Sequence, residues 1–294
     1  MKLFRVTILL ISALLILSFS IKTFAEEVEK SKSVSIHELI SKGALRVSVQ
    51  GAGGHEGECI LMYLENPSAD TTFFRIEPGR VLSSLDTSIQ DILITREEML
   101  SLAPGEQRMI DIYGFCGQAS NASPDSAQVF RVGEMADSMV VVLAEFLNER
   151  DNNFPEDAIQ HAVWCLTDDY DVDEIYSDDL ASIADLRTLV ASLKGNEEQW
   201  FSIENVPASS GGYSYYTKTI TGKFEIFIPV DCMVDIIIID EYGEKWDEFE
   251  KDVPYKDGTY QYSFKLTATN WPQGKYFLCI LGDGNLLYKK AFEL

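Results

Sequence analysis

The last third of the chain holds six apolar runs that alternate with period two and are separated by strong turn formers, a pattern that one-sided strands produce and helices do not. The runs cover 223–229, 233–239, 245–251, 259–268, 274–281 and 286–292. Glu241-Tyr-Gly-Glu244, Lys256-Asp-Gly258 and Gly282-Asp-Gly-Asn285 supply the turns between them. Six short strands at this spacing can bury their apolar rows only by facing one another. The pattern therefore predicts a small all-β sandwich over 216–294, after a linker at 204–215 whose Pro207-Ala-Ser-Ser-Gly-Gly-Tyr213 has loop composition.

The preceding part mixes two periods. Ser35 as N-cap, apolar Ile36, Leu39 and Ile40, and Gly43 as stop predict one short helix. Strands are then expected near 45–49, 59–64, 71–76, 92–95 and 107–113, broken at Gly51 to Gly54, Asn66-Pro67 and Pro78-Gly79. From 123 the character changes. The continuous run Met139 to Leu143 with Phe146 and Leu147 predicts a helix, Pro155 with Glu156 and Asp157 opens a second that runs to 166, and 178–194 forms a third ending at Gly195. The expected fold class is thus α+β: an antiparallel sandwich with a helical pack over 35–203, followed by the all-β module.

Residues 1–25 combine basic Lys2 and Arg5, an apolar stretch from Val6 to Leu17, and Thr23-Phe-Ala25, which reads as an export signal followed by a flexible segment at 26–34. The expected location is the periplasm, cell surface or exterior, with no transmembrane segment in the mature chain. The formal charge is −23, and the leader carries three positive and no negative groups, so the 269 residues after it carry −26. A field of that sign repels phosphate backbones and excludes nucleic acid and anionic membrane surfaces as partners. It leaves calcium, a cationic partner, or plain solubility.

Five cysteines, Cys59, Cys116, Cys165, Cys232 and Cys279, sit too far apart for a CxxC site, and with three histidines a multi-histidine metal centre has little to draw on. His161 and Cys165 lie four apart on the second predicted helix, the spacing of a Cys–His nucleophile pair, with His55 in its glycine-rich segment as another partner. In the alternative packing role, Cys59, Cys116 and Cys165 share one disulfide and one buried thiol. The acidic run from Asp168 to Asp179 places Asp169, Asp171 and Asp173 at the first three ligand positions of an EF-hand loop. Glu174 stands where that loop needs glycine and Leu180 where it needs glutamate, so the run is either a looser calcium site or a solvated loop that favours the next helix N-terminus. No P-loop, GxSxG, HExxH or dinucleotide fingerprint is present.

Several of these segments bear family resemblances. Val234-Asp-Ile-Ile-Ile-Ile-Asp240 with Gly243, then Gly258, Asn270-Trp-Pro-Gln-Gly-Lys-Tyr276 and Tyr288-Lys-Lys290 resemble the "i.D..G", "l..G.Y" and terminal "kK" pattern of the C-terminal sorting domains of Bacteroidota proteins exported by the type IX secretion system, over roughly 75 residues, the size of one small domain. The flagellar hook-cap immunoglobulin-like domain shares the first two parts. The resemblance implies a module read by secretion machinery or used for attachment. Asn66, Gln90-Asp-Ile-Leu-Ile-Thr95, Cys116 and Gln160-His-Ala-Val-Trp164 are similar to an uncharacterised family of secreted bacterial domains. The last segment is also similar to the QxAIW element of Gram-positive thioester adhesins, which implies an internal thioester between Cys116 and Gln160. Tyr113-Gly-Phe-Cys-Gly-Gln118 departs from the adhesin pattern in lacking an aromatic residue after the cysteine. The functional expectation is an exported, noncatalytic binding or adhesion protein for a surface ligand or protein, with Cys-dependent acyl chemistry, as thioester or hydrolase, as the alternative.

Overall fold

The computed structural model describes residues 33–54, 56–195, 199–206 and 217–294. The expected leader, the glycine-rich His55 and most of the linker lie outside them. The fold is mainly β with a smaller share of helix, and the chain divides into two compact units, Met1–Asn153 and Phe154–Leu294.

In the first unit, strand β1 (Val34–Ser35) leads into helix α1 (Ile36–Ser41), whose N-cap Ser35 accepts from the His37 amide as its sequence position predicts. The strands that follow are β2 (Arg46–Gly51), β3 (Glu56–Glu65), β4 (Thr72–Ile76), β5 (Arg80–Ser84), β6 (Ile92–Ile94), β7 (Glu98–Leu102), β8 (Gln107–Cys116) and β9 (Val129–Met135), and helix α2 (Ser138–Glu149) ends the unit. Six of them close into an antiparallel barrel in the order β2-β3-β8-β6-β5-β9, and a small sheet β1-β4-β7 stands beside it. The expected sandwich is therefore a barrel here. The strands responsible are β5 and β9, which the alternation reading leaves unassigned: β9 pairs with β2 through Val49↔Phe130 and with β5 through Ser84↔Phe130, which joins the two edges of what would otherwise be an open sheet.

An apolar core runs between the barrel, the small sheet and α1. Ile60, Met62, Leu82, Ile92, Ile94 and Ile112 come from the barrel, while Ile36, Phe74, Ile76 and Leu102 come from the small sheet and α1. The β3–β8 ladder slips between Gly57 and Ile60, and the successive residues Cys59 and Ile60 are both buried there. Gly114 is required where β8 crosses β6, because a Cβ at that position would lie 2.7 Å from the Leu93 carbonyl oxygen. A buried ion pair stitches the elements together. Arg80 donates twice to the Glu77 carboxylate at 3.1 Å, to the Gly133 carbonyl at 2.9 Å and to the Ser35 hydroxyl at 3.2 Å, thereby linking β1, β5 and β9. Burial works to raise the Glu77 carboxyl, but the bonds from Arg80 and Ser35 and the Arg80 charge outweigh it and hold the group below the ordinary carboxylate value.

In the second unit, helices α3 (Glu156–Thr167) and α4 (Ala184–Lys194) are joined by 3₁₀ turns at Val172–Glu174 and Leu180–Ile183. Gly195 ends α4 in the left-handed conformation at φ 72°, as its position after the apolar stripe predicts. The strands are β10 (Phe201–Val206), β11 (Thr217–Ile228), β12 (Cys232–Asp240), β13 (Lys245–Tyr255), β14 (Gly258–Thr269), β15 (Lys275–Gly282) and β16 (Asn285–Glu293). They form sheets β10-β11-β14 and β13-β12-β15-β16. The six alternating runs of the sequence are β11 to β16. Both sheets feed one core, with Ile220, Phe224, Ile226 and Leu266 from the first and Val234, Ile236, Ile238, Leu278 and Ile280 from the second. Asp283 at φ 46° and Gly284 at φ 76° make the tight turn of the β15–β16 hairpin that Gly282-Asp-Gly-Asn285 predicts.

The sequence pattern groups 35–203 as one domain, whereas α3, α4 and β10 fall in the second unit. Their placement follows from hydrogen bonding: β10 pairs antiparallel with β11 from Phe201↔Gly222 to Val206↔Thr217, which makes it part of the second unit's sheet.

Substituting Arg80 by methionine strands the Glu77 carboxylate in the core and is expected to cost about 3–5 kcal/mol in denaturant unfolding. Because the Glu77 pKa is lowered by folding, its contribution is fully present above the ordinary carboxylate pKa and is lost as the pH falls through the folded value. The Arg80→Met, Glu77→Gln double variant should lose that pH dependence and recover part of the stability.

Candidate functional site

Of the candidate residues, Gln160, His161, Cys165 and the acidic run lie at the start of the second unit, and Cys116 lies in the first. On α3, Ala158, Ile159, Gln160, Ala162, Val163 and Cys165 are buried, while His161 and Trp164 are partly exposed. The acidic run follows the helix directly, and three cations hold it in place. Lys194 donates to the Asp169 carboxylate at 2.8 Å, the Tyr170 carbonyl at 2.6 Å and the Cys165 carbonyl at 3.2 Å. Arg187, buried on α4, donates to the carbonyls of Ile175 at 2.9 Å, Gln199 at 2.8 Å and Phe201 at 2.6 Å. Lys265 on β14 donates to the Asp178 carboxylate at 3.1 Å. The run is a strap pinned to α4 and to the sheet, with Asp169 and Asp178 paired to lysines.

His161 and Cys165 do not act on each other. The His161 Nδ1 is hydrogen-bonded to the Glu174 carbonyl, and its ring lies 5.5 Å from Trp164 and 6.4 Å from Tyr170 between centroids. The Cys165 thiol donates to the Asp171 carbonyl at 3.2 Å. Burial pushes that thiol up to about 12; Lys194 opposes the rise, and Glu174, Asp173 and Asp171 add to it. A thiol so held presents almost no thiolate near neutral pH. The helical spacing of four put both groups on one side of α3, but each is used to tie down the strap.

Cys116 belongs to the first unit and Gln160 to the second. Cys116 is fully buried at the end of β8, and burial, together with Cys59 and Glu56, raises its thiol to about 12. All five cysteines carry thiols, so the expected disulfide among Cys59, Cys116 and Cys165 is not formed. The Cys59 sulfur is directed at the Gly114 carbonyl, 3.6 Å away. A Cys232–Cys279 bridge is excluded by register: Cys279 lies opposite Ile237, and the five positions from there to Cys232 span about 17 Å of strand, far beyond disulfide reach. Asn66, the first residue of the secreted-family resemblance, is buried and donates to the carbonyls of Leu102 and Asp70, both at 2.9 Å, which is a loop-closing role.

Asp169, Asp171 and Asp173 do not converge. Asp169 points outward to Lys194, and among the described residues no three His, Cys, Asp or Glu side chains are grouped to hold a metal ion. Asp173 turns instead toward a cleft of about 570 Å³ walled by Asp171, Glu174, Lys218, Lys275 and Phe292. Burial, reinforced by Asp171 and Glu174 and opposed by Arg187 and Lys218, raises its carboxyl to about 6. The acidic run was conspicuous in the sequence. Its partners Arg187, Lys194 and Lys218 were not, because each looks like an ordinary surface cation until the register of its element is known.

No protein-family model matches the chain, and no curated protein sequence matches it. Among the described residues no helix is long and apolar enough to cross a membrane.

Two measurements test this site. In the native protein, Cys165 and Cys116 should resist iodoacetamide at pH 8 and react at once in denaturant, as counted by mass spectrometry. The raised Asp173 carboxyl takes up a proton in the folded state before it would in the unfolded chain, so between pH 6 and the ordinary aspartate value, 3.8, stability rises as the pH falls. Asp173→Asn should therefore stabilise the protein at pH 7 by about 1–2 kcal/mol and leave it unchanged near pH 4, read from denaturant midpoints.

Proposed function

We propose that this protein is an exported, noncatalytic binding component of the periplasm, cell surface or exterior, and that residues 216–294 form an immunoglobulin-like sandwich that directs its sorting or attachment. The observation that carries the noncatalytic reading is the condition of the thiols. Cys116 and Cys165 are buried with strongly raised pKa values, and the histidine nearest in sequence to Cys165 is committed to a backbone carbonyl. General-base activation of a cysteine needs the opposite: a lowered pKa and a base within hydrogen-bond reach. The two sheets over one core, the Asp240 to Gly243 turn and exposed Lys289 on the final strand support the sorting role, because these are the positions that carry the resemblance.

The test is the intact mass of protein purified from its host's envelope and medium, before and after reduction and methylamine treatment. The expected envelope species begins at Glu26 and shows neither loss of ammonia nor a methylamine adduct. An ammonia loss that methylamine converts to an adduct, and that Cys116→Ala abolishes, would overturn the noncatalytic reading in favour of a covalent adhesin. Surface or medium protein lacking 216–294 is the outcome expected of a sorting module. An intact Leu294 terminus in every fraction would sink the cleavable-sorting reading.

A further inference from the structure

One lysine breaks the core pattern of the second unit. Along β11 the inward row reads Ile220, Gly222, Phe224, Ile226 and Ile228, and the same parity places Lys218 at its head, opposite buried Ala268 of β14. A strand row that is otherwise apolar takes a charge at its end only where the core opens, and it opens here into a cavity of about 400 Å³ walled by Lys218, Ala268, Trp271, Gln273 and Leu294.

The aromatic wall of that cavity is rigid. Asn270 takes a left-handed φ of 59°, Pro272 follows Trp271, the Tyr276 hydroxyl donates to the Pro272 carbonyl at 2.8 Å, and Gly274 and Leu294 exchange backbone hydrogen bonds at 3.2 and 3.1 Å. Trp271 also packs at a tilt against Trp246, 5.1 Å away between ring centroids, and against buried Tyr276 at 5.2 Å. Trp246 is itself held by its indole N–H, which donates to Asp240 at 3.1 Å, yet it remains 38 % exposed. The result is a preformed aromatic surface beside a cavity of ligand-accepting size, with an amide and an ammonium as its polar heads.

We propose that the Trp271 cavity is a carbohydrate-binding site that takes a unit of a neutral oligosaccharide, an assignment that rests on the noncatalytic binding reading in its attachment form, with 216–294 retained on the chain, and names its ligand class. A pyranose presents an apolar C–H face and a rim of hydroxyls. The indole of Trp271 and the aliphatic wall of Ala268 and Leu294 match the first, and the Gln273 amide and Lys218 ammonium match the second. Glycans rich in carboxylate or sulfate are disfavoured, because the chain carries a formal charge of −23 and Asp173 and Glu174 stand on the neighbouring cleft, which shares Lys218.

The experiment is a titration of the full chain by calorimetry with neutral β-glucan, α-glucan, mannan, xylan and chitin oligosaccharides, alongside heparin and polygalacturonate fragments. At least one neutral probe should bind, with affinity reduced about tenfold or more in Trp271→Ala and several-fold in Gln273→Ala, retained in Trp271→Tyr and unchanged in Trp164→Phe. The Gln273 and Trp271→Tyr variants keep the test decisive if removal of the whole indole loosens the loop. Absence of binding to every neutral probe up to about 10 mM, binding confined to the acidic glycans, or affinity indifferent to both Trp271→Ala and Gln273→Ala would overturn the assignment. Should it fall while the intact mass still shows unmodified thiols, the binding reading stands and only the sugar is lost.

Discussion

The second unit depends on one buried guanidinium. Arg187 sits on α4 among Leu186, Val190 and Ala191, and its donors reach carbonyls on the acidic strap, the segment before β10 and β10 itself. A buried cation without partners would cost several kcal/mol, and these carbonyls supply its acceptors. The same contact therefore satisfies both sides and joins helix, strap and sheet edge. With the strap so placed, Lys194 can reach it from the end of α4 and Lys265 from β14, and the cleft beside Asp173 acquires its wall.

The first unit uses the same device with the charge compensated within the pair. Glu77 and Arg80 are buried where β1, β5 and β9 meet, and Arg80 spends its remaining donors on Gly133 and Ser35. The two sites carry opposite pH signatures. Folding lowers the Glu77 pKa because a guanidinium in direct contact outweighs burial, and raises that of Asp173 because burial, reinforced by Asp171 and Glu174, outweighs Arg187 and Lys218. Acid therefore weakens one unit's stitch while relieving a strain in the other.

The thiols illustrate how spacing overstates chemistry. A Cys and a His four apart on a helix share a face, but in a packed structure the same proximity serves to secure a following loop. His161 and Cys165 each bond a different carbonyl of the strap, so the pair is divided by the loop it anchors. The partly exposed aromatic cluster of Trp246 and Trp271 is a surface of the second unit held in place by packing and hydrogen bonds.

What could be read from the residues alone was local. Ser35 as cap, Gly195 as stop, the Asp283-Gly284 turn and the six alternating runs of 223–292 are each decided by short-range sterics and by a two-residue period, so the structure reproduces them within a few positions. The tertiary structure alone decided closure and partnership. Arg80–Ser84 and Val129–Met135 become barrel strands because they have edges to pair with, and Phe201–Val206 joins a sheet whose next strand lies beyond a linker-like segment. Lys218 reads as one more lysine until register places it in an apolar row, and Arg187 reads as the polar face of an amphipathic helix until three carbonyls arrive to meet it. Hydrogen-bond pairing and burial are properties of where distant segments meet, and no local pattern encodes that meeting.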